Sequence, residues 1–129
     1  MGKKNILIIE DDGFFRELIS IKLVANGFEV FGAIDGQDGI DKVKDSKIDL
    51  ILLDLILPDI NGIEVLEEIR KQEETKDIPV FILTNYTSKE LERLGYDLKT
   101  EQYLTKTDYP PSKLIEVIKE RLKEGRIKQ

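Results

Sequence analysis

Six side chains in this sequence could do polar chemistry together: Glu10, Asp11 and Asp12 as one run, then Asp54, Thr84 and Lys106. Each follows or closes a short apolar run. Ile6-Leu7-Ile8-Ile9 leads into the acidic triplet, and Asp54 interrupts the otherwise hydrophobic stretch Ile51–Leu57. Thr84 ends Pro79-Val80-Phe81-Ile82-Leu83, and Lys106 stands just after Gln102–Thr105. Carboxylates crowded within a few Å repel one another, and partial burial of Asp54 adds a desolvation penalty. A cation must compensate. An all-oxygen donor set with clustered charge favours a hard ion such as Mg²⁺, which takes few protein ligands and keeps several waters. A carboxylate, a metal, an ammonium group and a hydroxyl are the parts needed to transfer a phosphoryl group onto Asp54, because that chemistry relies on positioning and charge stabilisation. Each group has a plainer role when taken singly. Acids after a strand often cap helices, Asp54 could be a turn residue before Pro58, and Thr84 or Lys106 alone fits a surface role. The agreement of four separate strand ends is what favours the chemical reading.

Those strand ends can meet only in a particular architecture. Five apolar runs punctuate the chain, at Asn5–Ile9, Phe28–Ala33, Ile48–Leu53, Ile78–Leu83 and Gln102–Thr105. Between them, Phe15, Ile19 and Leu23 recur at helical spacing, as do Leu114, Ile118 and Leu122. Ile40 with Val43, and Ile63 with Leu66 and Ile69, mark two further helices, and Ser88–Leu94 is the weakest. Asn61-Gly62-Ile63-Glu64 and Thr87-Ser88-Lys89-Glu90 are cap-x-x-Glu starts, Gly27 ends the first helix, and Pro111 suits the first turn of the last. Near-continuous apolar strands alternating with helices predict a flavodoxin-like, doubly wound α/β fold, (βα)₅, with a five-stranded parallel sheet. In strand order 2-1-3-4-5 the winding reverses between strands one and three, and ligands bind at their carboxyl ends. Glu10, Asp11 and Asp54 then share one cleft.

Composition narrows the chemistry further. The 129 residues include no Cys and no His, which removes disulfides, zinc sites and every Cys- or His-based catalytic arrangement. A net charge of −6 argues against nucleic-acid binding, which calls for a basic stripe. No apolar run reaches the roughly 18 residues of a membrane span. The apolar stretch after Met1-Gly2-Lys3-Lys4 ends at once in Glu10-Asp11-Asp12, so export is not expected and a cytoplasmic setting is. One domain over 1–129 is expected, with residues 124–129 as a frayed polar tail and no output domain.

The same residues resemble those of bacterial response-regulator receiver domains, over nearly the whole chain. Ile6–Asp12 is similar to the family's first strand with its acidic pair, Leu52–Leu66 to the segment around its phosphorylated aspartate, and Ala33–Ile40 to its turn into the second helix. Tyr103-Leu104-Thr105-Lys106 matches its aromatic switch position and lysine. The resemblance implies Asp54 as phosphoacceptor and Mg²⁺ held by Asp11, by Glu10 mainly through water, by Asp54 and by the main-chain carbonyl of Ile56. It implies that Thr84 and Lys106 bind phosphoryl oxygens, and that Tyr103 turns inward when Thr84 moves. A histidine kinase or phosphotransfer protein would be the donor and a separate effector protein the target, with neither nucleic acid nor membrane as a direct partner.

Three departures from the family pattern stand out. Asn85 and Tyr86 follow Thr84 where a small residue is usual. Thr107 follows Lys106 where a cis proline is usual, and a non-proline cis bond costs about 2.5–4 kcal/mol, so a trans bond or an altered loop is expected. Gly95–Glu101 replaces a short Gly-Ala approach to the last strand. These departures leave a phosphorylation-independent docking module as one alternative reading. A Mg²⁺-dependent aspartyl-phosphate phosphohydrolase is another, but it needs a second acid two residues after Asp54, where Ile56 stands.

Overall fold

In a computed structural model of the protein, residues 2–96 and 102–124 are described. Strands and helices alternate as β1 (Asn5–Ile9), α1 (Gly13–Ala25), β2 (Glu29–Ala33), α2 (Gly36–Asp45), β3 (Leu50–Asp54), α3 (Gly62–Lys71), β4 (Val80–Thr84), α4 (Ser88–Arg93), β5 (Gln102–Thr105) and α5 (Pro111–Glu124). The five strands form one sheet in the order β2-β1-β3-β4-β5, and every pairing is parallel. This is the flavodoxin-like arrangement expected from the sequence, with its switch point between β1 and β3.

Strand alternation divides the core into two layers. Ile6 and Ile8, Leu50 and Leu52, Phe81 and Leu83, and Leu104 face α1 and α5, where Ile19, Leu23, Leu114 and Ile118 meet them. Leu7 and Ile9, Ile51 and Leu53, and Val80 and Ile82 face α2, α3 and α4, where Ile40, Val43, Val65, Ile69 and Leu91 meet them. A sheet covered on both faces needs apolar residues at every position, which is why these strands do not alternate with polar residues. Each fully buried Leu or Ile contributes about 1.5–3 kcal/mol by leaving water.

Element boundaries differ from expectation at several points. Phe28, Ile48 and Ile78 are buried but lie outside the strands, which open at Glu29, Leu50 and Val80. Before β4 the reason is Pro79, which has no N–H to give to a ladder and contributes only its carbonyl, accepting from Ile51 N at 3.0 Å. In α3 the buried face is Val65, Leu66 and Ile69, and Ile63 is only half-buried. Thr87 and Glu90 close a reciprocal capping box at 3.1 and 2.8 Å, whereas Asn61 caps α3 by accepting from Ile63 N at 2.7 Å. Gly27 follows α1 with φ +90°, a conformation that glycine adopts without steric cost. Helix α4, the weakest in the sequence, is short at 6 residues. The unusual segment before β5 falls, for residues 97–101, outside the described residues, as do 125–129 of the tail.

Candidate functional site

The two-residue period of the strands decides which side chains converge. Glu10 lies two residues beyond Ile8, Asp54 two beyond Leu52, and Lys106 two beyond Leu104, so all three continue the row that faces α1 and α5. Thr84 lies two beyond Ile82 and belongs to the opposite row, which it shares with Tyr103, the partner of Ile82 across the β4–β5 pair. Oxygens of Glu10, Asp11 and Asp54 all lie within 4.8 Å of one another. Lys106 Nζ is 2.7 Å from Glu10 Oε1 and 3.6 Å from Asp54 Oδ2. The cleft they form is also lined by Ile56, Thr84, Asn85 and Tyr86.

The third acid has a different task. Asp12 caps α1, its Oδ1 accepting from Phe14 N at 3.0 Å and Phe15 N at 3.2 Å. The acidic run therefore splits into Glu10 and Asp11 for the cleft and Asp12 for the helix start. Glu10 is buried, Asp11 exposed, and Glu10 Oε2 also accepts from Asp12 N at 3.2 Å. Thr84 is buried, its Oγ1 accepting from Tyr86 N at 3.0 Å, which leaves the hydroxyl proton as its one donor. Tyr103 is half-buried on β5 outside the cleft, with its ring 6.4 Å from that of Tyr96.

Crowding shows in the protonation of Asp54. Burial raises its carboxyl most, the hydrogen bond and charge of Glu10 raise it further, and together they push it up to about 7. Lys106 and the N–H of Ile56, 3.3 Å from Oδ1, pull the other way without prevailing. A carboxyl held up by burial, and further by neighbouring negative charge, is a place where a cation gains energy, and the donors are all oxygen. The three carboxylates thus fit a hard divalent ion.

Residues 6–119 match the response regulator receiver domain. The chain belongs to that family. Among curated relatives, the DNA-binding dual master transcriptional regulator RpaA of Synechocystis is 41% identical over 101 residues, covering 78% of this chain and 42% of RpaA. The phosphate regulon regulatory protein PhoB of Pseudomonas aeruginosa is 34% identical over 119 residues, covering 92% of this chain and 52% of PhoB. The chain therefore spans about half the length of these relatives. Among solved structures, a CheY-like receiver from Methanospirillum hungatei superimposes with a TM-score of 0.82 at 31% identity, covering 95% of this chain and 96% of its own. TrrA of Thermotoga maritima, solved with Mg²⁺ and BeF, has a TM-score of 0.73 at 32% identity, covering 91% of this chain and 97% of its own. Receiver domains of this family serve two-component signalling rather than substrate turnover. No helix among the described residues is long and apolar enough to cross a membrane.

Several supporting residues of this receiver escaped sequence reasoning. Arg16 donates through Nη1 to the main-chain carbonyl of Glu10, tying α1 to the end of β1. Asp59 accepts from Gly36 N at 2.8 Å and Gln37 N at 2.9 Å, so the loop after Asp54 is fastened to the start of α2. Burial works against the charged form of Asp59, but the N–H groups of Gln37 and Gly36 outweigh it and hold the carboxyl below its usual range. Phe15 places its ring under Lys106, 4.5 Å from Nζ to the centroid. Phe15 is visible in the sequence only as a core position of α1. The peptide bond to Thr107 is trans, as expected without proline.

Proposed function

We propose that this receiver accepts a phosphoryl group on Asp54 from a phosphohistidine of a kinase or phosphotransfer protein, and passes the change in shape to an effector. The observation that carries this reading is the convergence of Glu10, Asp11, Asp54 and Lys106 within hydrogen-bonding and metal-bridging distances. An Asp54 oxygen forms the new bond to phosphorus, the donor's bond to phosphorus breaks, and the donor nitrogen keeps the electron pair. Glu10, Asp11, Asp54 and the main-chain carbonyl of Ile56 would hold Mg²⁺, which supplies positive charge against the phosphoryl oxygens when bound. Lys106 and the Thr84 hydroxyl then bind phosphoryl oxygens. Thr84 moves toward the phosphoryl group to do so, and Tyr103, on the same row of the sheet, turns inward. The surface formed by the β4–α4 and β5–α5 connections changes as a result, which is a two-state bias set by local charge.

Incubation with Mg²⁺ and a small acyl-phosphate donor tests this by intact mass. The expected result is one phosphoryl adduct in the parent, lost with a chelator and in Asp54→Asn. Absence of any adduct over a wide donor range would favour a docking module, and rapid turnover of phosphate esters would favour a phosphohydrolase.

Two further outcomes follow from the same geometry. Mg²⁺ at one hundred times its Kd should raise the parent's stability by about 2.7 kcal/mol, read by thermal melting. Lys106→Ala should keep Mg²⁺ binding but weaken the phosphorylation-linked change, read as smaller amide shift differences between free and phosphorylated protein. Equal responses in variant and parent would count against the role given to Lys106.

A further inference from the structure

We infer that Phe15 is a positioning residue for Lys106, its ring face keeping the ammonium beside Asp54 before a phosphoryl group arrives. This rests on Asp54 being the phosphoacceptor. A lysine head is strongly hydrated and rides on a flexible four-carbon stem, so its default place is in water. Here the Lys106 side chain is only 15% exposed. Three groups keep it in: Glu10 Oε1 at 2.7 Å, Asp54 Oδ2 at 3.6 Å and the Phe15 ring with its centroid at 4.5 Å.

These groups hold the ammonium by different physics. Glu10 takes a directional hydrogen bond. The ring attracts through its quadrupole and uses none of the ammonium's three protons. Lys106 can therefore exchange the Glu10 oxygen for a phosphoryl oxygen while its contact with Phe15 persists. Asp12 makes the arrangement geometric rather than incidental. Its cap accepts from Phe15 N, and its own N donates to Glu10, so one residue sets both the ring and the carboxylate that flank Lys106. Phe15 also packs against the layer of core under α1 and α5, a role that any apolar side chain of similar volume could fill.

The two roles separate by substitution in the full chain. Phe15→Leu keeps the packing and loses the quadrupole, and Phe15→Tyr keeps both. In the metal-free, unphosphorylated protein, the Hε protons of Lys106 should show an upfield ring-current shift in the parent and in Phe15→Tyr that disappears in Phe15→Leu. With Mg²⁺ and an acyl-phosphate donor, Phe15→Leu should gain its adduct about 3- to 30-fold more slowly, and Phe15→Tyr at the parent rate. A parent with no ring-current shift, a Leu variant as fast as the parent, or equal slowing of Leu and Tyr variants would overturn the inference. A parent that takes no phosphoryl group at all would overturn the phosphoacceptor reading instead, and the ring-current comparison would still report on the contact.

Discussion

Asp54→Asn is expected to abolish the phosphoryl adduct and yet to melt higher than the parent in metal-free buffer at pH 8. The carboxyl of Asp54 titrates at about 7 in the folded protein, against an ordinary value of 3.8, because it is buried beside Glu10. Folded protein thus holds this proton more tightly than unfolded chain does. The stabilisation from protonated Asp54 is fully present below pH 3.8 and is lost as pH rises through about 7. At pH 8 the folded state carries the cost of a charge buried beside Glu10, of the order of 2–4 kcal/mol. An Asn amide removes the charge at nearly constant shape and can donate to Glu10. For a domain of this size the gain corresponds to a rise in Tm of about 10 °C. The parent's stability should fall between pH 4 and pH 8 by more than that of Asp54→Asn, and Mg²⁺ should narrow the gap between them at pH 8. Parallel pH profiles for the two proteins would show that the crowding carries no such cost.

The fold was legible because its determinants are local and repeated. Fully apolar strands such as Leu50–Leu53, separated by helices with clear spacing, leave few architectures besides a covered parallel sheet. The site was legible for the same reason, since the groups that meet are placed by strand ends and a fixed topology. Its finer structure depends on contacts between elements, which spacing does not encode. The division of Glu10-Asp11-Asp12 between cleft and helix cap depends on where α1 begins, and that boundary is set by the Asp12 side chain itself. The Asp59 clasp on α2 joins groups more than twenty positions apart through backbone N–H groups, which any residue at 36 and 37 except proline could offer. Phe15 under Lys106 joins a helix start to a strand end across the β1–β3 switch, and neither residue type announces the other. Pro79 could have corrected the start of β4, because a residue without an N–H marks the edge of a ladder wherever the strand is central.

The start of α3 meets the end of β3 backbone to backbone, and Gly62→Ala should be a damaging single-methyl change near the cleft. A Cβ at Gly62 would lie 2.5 Å from the main-chain oxygen of Asp54, 2.9 Å from Leu55 Cα and 3.0 Å from the Leu55 oxygen. All three are backbone atoms, so no side-chain rotation relieves the contact. Relief requires α3 to move away from the end of β3, which stretches the bond from Gly62 N to Leu55 O, now 2.9 Å. The cost is expected at about 1–3 kcal/mol or more, as for other forced overpacking. The displaced atoms belong to the segment that carries both Asp54 and the Ile56 carbonyl. Weaker Mg²⁺ binding and slower phosphoryl acceptance should therefore accompany the lower Tm. Gly13→Ala is the matched control, because a Cβ there would meet only the Arg16 guanidinium, at an ordinary 3.6 Å. Alanine also suits a helical position better than glycine does, so the control should melt at or above the parent temperature. If Gly62→Ala kept the parent's Tm and Mg²⁺ affinity, the close approach of α3 to the end of β3 would not be what fixes the loop after Asp54.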